Sequence, residues 1–428
     1  MQRVVALIFL LICVSGSDAE AEAIIKKGDK LNLQKCIEIS LLRQPNILAA
    51  ASTVDASRSR VGQSQANYYP QIDLTSGYSK ISPVSSGIRD SSSSGSFDQY
   101  TSSVSLSQNI YDFGRTSSQV QIQKLNLDSS ASDLENVSQQ TIFNVKLAYY
   151  DVIQAKYKRI VAEDTVKSTG LHLEQAKGFF EVGIRPKFDV TRAEVDLSNA
   201  RLNLIRAENA FRIAVATLNN AMGVPEAPEY EVDDNLSFDK YEMTFEDAID
   251  NAYRNRPDLA SLASRRQASE KSIELAKTEY YPALTGNAGY TWGGENFPLD
   301  DGWNAGVTLS VSLFSGFLTT YQVAESKANL NVITANEEFL KQSIYLEVQQ
   351  AYLTLRAAEE AIPTAKLGVD QARENLEIAN GRYTAGVGNP IEVTDAEVSL
   401  LNARTTYIQA LYADKVAQAS LERAMGVK

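Results

Sequence analysis

Two periodicities share this chain. Leu284, Gly286, Ala288, Tyr290 and Trp292 alternate with Thr285, Asn287, Gly289 and Thr291. Trp303, Ala305, Val307, Leu309, Val311 and Leu313 alternate with Asn304, Gly306, Thr308, Ser310 and Ser312. A period of two predicts strands with one apolar and one polar face. A weaker version places Ile72, Leu74 and Tyr78 on one face, and sets Val104, Leu106 and Ile110 against Ser105, Ser107 and Asn109. β-Hairpins are therefore expected over 71–111 and 283–314.

The remainder reads as helix. Gly114 to Val182 has no proline and few glycines, and as one helix it would run roughly 100 Å. Phe188 to Met222 would add roughly 50 Å and Asn46 to Tyr69 roughly 35 Å. Val190, Ala193, Leu197, Ala200, Leu204, Ala207, Phe211, Ala214, Leu218 and Ala221 step by three and four, a coiled-coil seam with alternating alanines that let helices approach closely. The seam returns at Val393, Ala396, Leu400, Ala403, Tyr407, Ala410, Ala417, Leu421 and Ala424, with Asp414 as its one break. The lengths predict a rod in which one unbroken helix lies beside two shorter helices stacked end to end. The pieces 24–44 and 224–242 would collect around the break as a belt.

The chain repeats itself. Tyr68-Tyr69-Pro70 recurs as Tyr280-Tyr281-Pro282, Gly77-Tyr78 as Gly289-Tyr290, and Ala221-Met222-Gly223-Val224 as Ala424-Met425-Gly426-Val427. The offset between copies changes after Tyr78, in a region that holds the serine-rich stretch Ser85–Ser96, and loops absorb length changes that elements do not. The expected organisation is a leader at 1–19, a first repeat at 20–225, a linker at 226–242 and a second repeat at 243–428. Between the long helices of each repeat lies a short turn, Glu181–Asp189 and Thr384–Glu392. Gly183 and Gly386 suit a left-handed stop, and Asp189 and Glu392 place a carboxylate at the positive start of the outgoing helix.

Composition narrows the class. A net charge of −12 argues against nucleic acid as a partner. Arg3, the apolar run Val4–Val14 and the small residues Ser17-Asp18-Ala19 read as a secretory leader, with cleavage after Ala19, Ala21 or Ala23. Its removal leaves Cys36 alone, so no intrachain disulfide is expected. No later stretch offers the roughly 18 apolar residues of a membrane helix. No glycine loop of nucleotide-binding type and no catalytic constellation is evident, so neither an enzyme nor a cofactor is expected. His172, the lone histidine, is expected on a solvated helix face.

The hairpins decide between the remaining classes. Four strands cannot close a barrel, and a small open sheet leaves its edges bare. Alternating segments of about ten residues are the signature of an outer-membrane barrel, closed here by several chains. The chain resembles the TolC-type outer-membrane efflux proteins over essentially its whole mature length. The residues that carry the resemblance are the duplicated Tyr-Tyr-Pro, the run Leu106–Arg115 into the long helix, and the tips Gly183…Asp189 and Gly386…Glu392. It implies a mixed α and β membrane protein: a homotrimer whose 12-stranded barrel, four strands per chain, continues into an α-helical coiled-coil tunnel in the periplasm. It also implies docking of the tips, at Gly183, Ile184, Gly386 and Val387, to a periplasmic adaptor and an inner-membrane transporter, in a tripartite efflux or type I secretion system.

By the same resemblance, Glu392 and Asp395 match an acidic ring at the tunnel entrance. Three residues apart, they share a helix face. Acidic residues in a first turn also suit the helix dipole, so the pattern alone carries both readings. Tyr383 and Asp189 match gate contacts of the family. The family's arginine is replaced by Gly388, and Arg185, at the equivalent place in the first repeat, is the candidate substitute. A coiled-coil envelope scaffold without channel activity explains the helices equally well but not the hairpins.

Overall fold

The computed structural model describes residues 25–82, 96–234 and 236–427; the leader at 1–19 and nearly all of the serine-rich stretch lie outside them. The first half runs β1 (Lys30–Leu31), α1 (Leu33–Arg43), α2 (Pro45–Gln65), β2 (Gln71–Ile81), β3 (Phe97–Tyr111), α3 (Arg115–Glu181) and α4 (Lys187–Ala221). The second runs β4 (Glu231–Val232), α5 (Phe245–Asn255), α6 (Pro257–Thr278), β5 (Ala283–Gly294), β6 (Asp300–Ser310), α7 (Leu318–Thr384) and α8 (Pro390–Ala424). Helices α3 and α7 each hold 67 residues, and α4 and α8 each hold 35. Among the described residues, no helix is long and apolar enough to cross a membrane.

Local chemistry sets the element ends. Asn32 caps α1 by accepting from the Lys35 backbone N–H at 2.8 Å, and Thr244 caps α5 from Asp247 N–H at 3.1 Å. Pro45 and Pro257 open α2 and α6, where a missing N–H costs nothing.

The short helices stack end to end, as the lengths predicted. The Gln44 side-chain amide donates to the carbonyls of Asn220 and Ala221 at 2.9 and 3.0 Å, so the end of α4 abuts the start of α2. Arg256 does the same for α8 and α6: its guanidinium donates to the Ala424 carbonyl at 3.2 Å and is held by Asp258 and Glu347 at 2.7 and 2.5 Å. Helix α3 packs along α2 and α4, α7 along α6 and α8, and α3 also meets α6 and α8.

The belt forms around the first break. Ile25, Leu31, Cys36 and Ile39, with Val232 and Leu236, cover Val145, Val152 and Ile153 of α3 and Leu218 of α4. Strands β1 and β4 pair in parallel within it. Burial pushes the Cys36 thiol up to about 12, which leaves it an inert core residue. A matching cluster joins Ala248 and Ala252 of α5 to Ile344, Val348 and Leu355 of α7 and Leu421 of α8.

Asp414 departs from its sequence reading. It is no simple gap in the seam, for its side chain is buried at 2% exposure. Burial holds its carboxyl above the usual range, and the nearby negative charges of Glu359 and Asp239 add to this against Lys415. A folded-state pKa above the unfolded value of about 3.9 stabilises fully below that value and is lost as pH rises through the folded one. Asp414→Asn should therefore raise the melting temperature by a few degrees at pH above neutrality, with the gain vanishing near pH 4 when followed by circular dichroism.

The two hairpins form one antiparallel sheet in the order β2-β3-β5-β6. Its register aligns the alternation across all the strands. Ile72, Leu106, Ala288 and Ala305 form one cross-strand row, and Leu74, Val104, Tyr290 and Trp303 the next on the same face. On the other face, Asp73, Ser105, Gly289 and Asn304 lie between these rows, and Thr75, Ser103, Thr291 and Gly302 lie just beyond the second. The apolar face is bare: Leu74 and Trp303 are 72% and 78% exposed. Strand β6 spans Asp300–Ser310, so it starts earlier than its apolar run and Val311 and Leu313 lie beyond it. Asp301 falls on the apolar face opposite Trp292, at the loop end, where the Tyr290 hydroxyl donates to it.

The helical tip as candidate functional site

Both hairpin turns end their incoming helices in the same way. Gly183 N–H reaches the Phe180 carbonyl at 3.0 Å and Ile184 N–H the Phe179 carbonyl at 2.9 Å; Gly386 and Val387 repeat the pair on Tyr383 and Arg382, both at 3.1 Å. This double bond pattern needs a left-handed residue at the turn, and Gly183 and Gly386 sit at φ +76° and +80°. Beyond them Ile184, Phe188 and Val387 stand exposed.

The two turns are fastened to each other. Arg185, from the first, donates to the carbonyl of Gly388, in the second, at 2.8 Å. The same guanidinium lies over the Tyr383 ring, 5.2 Å from its centre. Tyr383 is fully buried, with Phe179 and His172 packed on its ring at 5.7 and 5.2 Å. Asp189 is buried at 5% exposure, and neither its Oδ2 nor the Tyr383 hydroxyl has a hydrogen-bond partner. Burial, then the charge of Asp189, pushes the Tyr383 phenol up, while Arg185 opposes both.

The structure thus brings Asp189, Tyr383 and Arg185 into one cluster without joining Asp189 to Tyr383. It also gives a reason for Gly388. A Cβ there would lie 2.7 Å from the Tyr383 backbone N and 2.9 Å from the Arg382 carbonyl carbon. No side chain, arginine included, fits this turn unless the turn moves, and the guanidinium comes from the other hairpin instead.

His172 corrects its sequence reading. It is not on a solvated face; it is 8% exposed. Burial lowers its pKa, against the charges of Asp196 and Asp189. Its neighbours in the buried stripe, Thr169, Leu173 and Ala176, are spaced by three and four, a signal already present in the sequence. Cys36 lies in the belt and His172 at the tip, and no group of three metal-capable side chains occurs among the described residues.

Glu392 and Asp395 are both exposed on the first turns of α8, but they differ. Glu392 accepts from Arg382 Nε of α7 at 3.2 Å, whereas Asp395 has no side-chain partner among the described residues. Further along, Glu397 accepts from Ser168 of α3 at 2.8 Å and Asp196 of α4 from Thr394 at 3.1 Å, so hydroxyls tie both helices of the first hairpin to α8.

A bare apolar sheet that leads through long paired helices to two fastened turns is the architecture of an outer-membrane channel protein with a periplasmic helical tunnel. The chain belongs to the outer membrane efflux protein family, whose sequence profile matches residues 36–224 and 248–427. It is 24% identical over 407 residues to the outer membrane protein TolC of Vibrio cholerae, covering 92% of this chain and 90% of that one. Its fold matches the outer membrane protein VceC of Vibrio cholerae with a TM-score of 0.79 at 17% identity, over 92% of this chain and 96% of the other. It also matches the CmeC channel of Campylobacter jejuni with a TM-score of 0.81 at 16% identity, over 92% and 85%. The protein is accordingly an efflux channel protein of the outer membrane that reaches into the periplasm.

Proposed function

We propose that three copies of this chain form a passive export duct, the outer-membrane part of a tripartite efflux or type I secretion system. The observation that carries this is the sheet. Its outer strands β2 and β6 have unpaired edges, and its apolar face has no cover from the rest of the chain. Bare edges in hydrocarbon are untenable, so closure must come from further copies. Three copies give a twelve-stranded barrel, and the two halves of each chain act as structural repeats within it. Aromatic pairs mark the two ends of the sheet: Tyr78–Tyr100 and Tyr100–Phe297 at the loop end, and Tyr111–Phe113 and Phe113–Tyr281 where strands pass into helices. Such rings suit the two water interfaces of a bilayer. Detergent-solubilised protein should behave as a trimer that conducts ions in a planar bilayer. A stable monomer in the soluble periplasmic fraction would instead favour a scaffold.

In this reading the turns face the cytoplasmic side of the periplasm. Gly183, Ile184, Gly386 and Val387 form the surface that meets a periplasmic adaptor, beneath which the inner-membrane transporter sits. The exposure of Ile184 and Val387 supports it. Asp189, Tyr383 and Arg185 are the gate contacts: Arg185 clasps the first hairpin to Gly388 and Tyr383 of the second, and the buried Asp189 adds its charge beside them.

Glu392 and Asp395 line the entrance. Like charges gathered there attract cations, and Asp395 carries more of that field because Arg382 offsets Glu392. The channel should prefer cations and be blocked from the periplasmic side by multivalent cations. The double change Glu392→Ala and Asp395→Ala should weaken both properties with the trimer intact, and Asp395→Ala alone should do most of this. Asp189→Asn should raise the open fraction and leave the block in place. Unchanged selectivity in the double mutant would reduce the pair to helix-start acids.

A further inference from the structure

We propose that His172 is a proton-sensitive member of the gate: acid on the periplasmic side loosens the clasp between the two hairpins and favours the open channel. This rests on the reading of the Arg185–Tyr383–Asp189 cluster as a gate.

The placement of His172 carries the idea. It belongs to α3, in the first hairpin, and its ring packs on Tyr383 of α7, in the second, 5.2 Å between centres. It therefore sits across the joint that must part when the hairpins separate. It is buried at 8% exposure, and no hydrogen bond from the described residues ties its ring. The Arg185 guanidinium already occupies a position over the same tyrosine, 5.2 Å from its centre. A neutral imidazole packs there as a flat, nearly apolar plate. An imidazolium would be a second cation on the same ring, in a site only 8% exposed to water.

The charged groups around the joint come from several elements. Helix α4 presents Asp189 and Asp196, which favour the protonated ring. Asp196 is partly engaged by Thr394 of α8, whose neighbour Glu397 is bound by Ser168. The turn supplies Arg185, and α7 supplies the Tyr383 phenol, which burial pushes above its ordinary value. Burial outweighs the two aspartates, and the net effect lowers the histidine's pKa in the clasped state.

The direction follows from linkage. A group whose pKa is lower in the clasped state stabilises that state fully above its water-exposed value, about 6.5, and ceases to do so as pH falls through the clasped value. Opening that wets His172 restores the higher value. The open form then binds the proton more tightly and gains population as the periplasmic side is acidified. Each pK unit between the two states allows about a tenfold change in the ratio of open to closed. Asp189, freed of any partner at Oδ2, can follow the new cation and leave its place beside Tyr383.

The experiment is the open fraction of the reconstituted channel in a planar bilayer, with the tip-side pH lowered from about 7.5 to about 5.5. Wild type should open several-fold more at the acid end. His172→Phe, which keeps a flat ring, and His172→Gln, which keeps a polar group, should both be flat across that range, with the trimer confirmed on a gel. Two variants guard against misfolding of either one. An unresponsive wild type, or a response kept in both variants, overturns the inference and assigns any pH effect to the entrance carboxylates. Arg185→Ala at about pH 7.5 tests the gate separately. If it does not raise the open fraction, the gate reading is wrong; if it does while the histidine variants still respond to pH, only the role of His172 is wrong.

Discussion

Val104→Arg should abolish assembly in the outer membrane, whereas Ser103→Arg, one residue away, should be tolerated. Val104 stands in the row Leu74–Val104–Tyr290–Trp303, on the face whose side chains have nothing to cover them. That row lies between the Tyr78–Tyr100 pair at the loop end and the Phe113–Tyr281 stack at the helix end, which places it near the middle of the hydrocarbon. An arginine facing lipid at the midplane of a barrel costs about 2–4 kcal/mol, and the threefold symmetry of the proposed assembly repeats the cost in every chain. Ser103 belongs to the row Thr75–Ser103–Thr291–Gly302 on the polar face, where an arginine would meet water. Leu309 is a weaker site for the same test, because it is one residue from the end of β6 and pairs with Leu284 beside the aromatic ring. The measurement is the yield of heat-modifiable trimer in isolated outer membranes. Equal loss from both changes, or from neither, would mean that the two faces are wrongly assigned.

The sheet and the rods were legible because each rests on a local regularity. A period of two names the strands and their faces, and a step of three and four names the seam. Gly183 and Gly386 mark turns that only a left-handed residue completes. Lengths alone suggested that two short helices lie end to end beside a long one. What the sequence did not disclose depends on residues far apart in the chain. The pairing of β3 with β5, which welds the two hairpins into one sheet, leaves no trace in either strand. Asp414 reads as a gap in a seam and is buried within the charges of Glu359 on α7 and Asp239 in the belt, which no local pattern places there. Arg382 takes half of the Glu392 and Asp395 pair proposed for the entrance, across a turn whose shape had to be known first. Gly388 read as the loss of an arginine, and only the 2.7 Å approach of the Tyr383 backbone shows that the turn excludes a side chain. A single histidine carries no pattern of its own, and the burial of His172 shows only in the spacing of Thr169, Leu173 and Ala176 around it.

Gly223→Ala should be among the most destabilising single changes outside the membrane, with Gly426→Ala its counterpart in the second half. Each glycine ends a coiled-coil helix at the point where the next short helix begins. Gly223 has φ +74°, and a Cβ there would stand 2.9 Å from both the carbonyl carbon and the oxygen of Arg43. Gly426 has φ +70° and places its Cβ 2.9 Å from the Arg256 Cα. A left-handed alanine costs about 1–2 kcal/mol. The overlap adds about 1–3 kcal/mol more, since the obstacle is backbone that cannot rotate away. Relief requires α4 to draw back from α2, which pulls on the Gln44 bonds to Asn220 and Ala221 and opens the belt core over Leu218 and Met222. Because α4 runs on to the turn that carries Arg185, that shift should reach the tip as well. Gly62, exposed inside α2 with nothing within 4 Å of an added Cβ, is the control. There, alanine should stabilise by about 0.5–1 kcal/mol, the ordinary gain of alanine over glycine in a helix. Thermal unfolding of the assembled protein followed at 222 nm separates the three variants, at a single protein concentration because the stability of an oligomer depends on it. If Gly223→Ala melts with wild type while Gly62→Ala gains, the end-to-end contact between α4 and α2 does not exist in the folded channel.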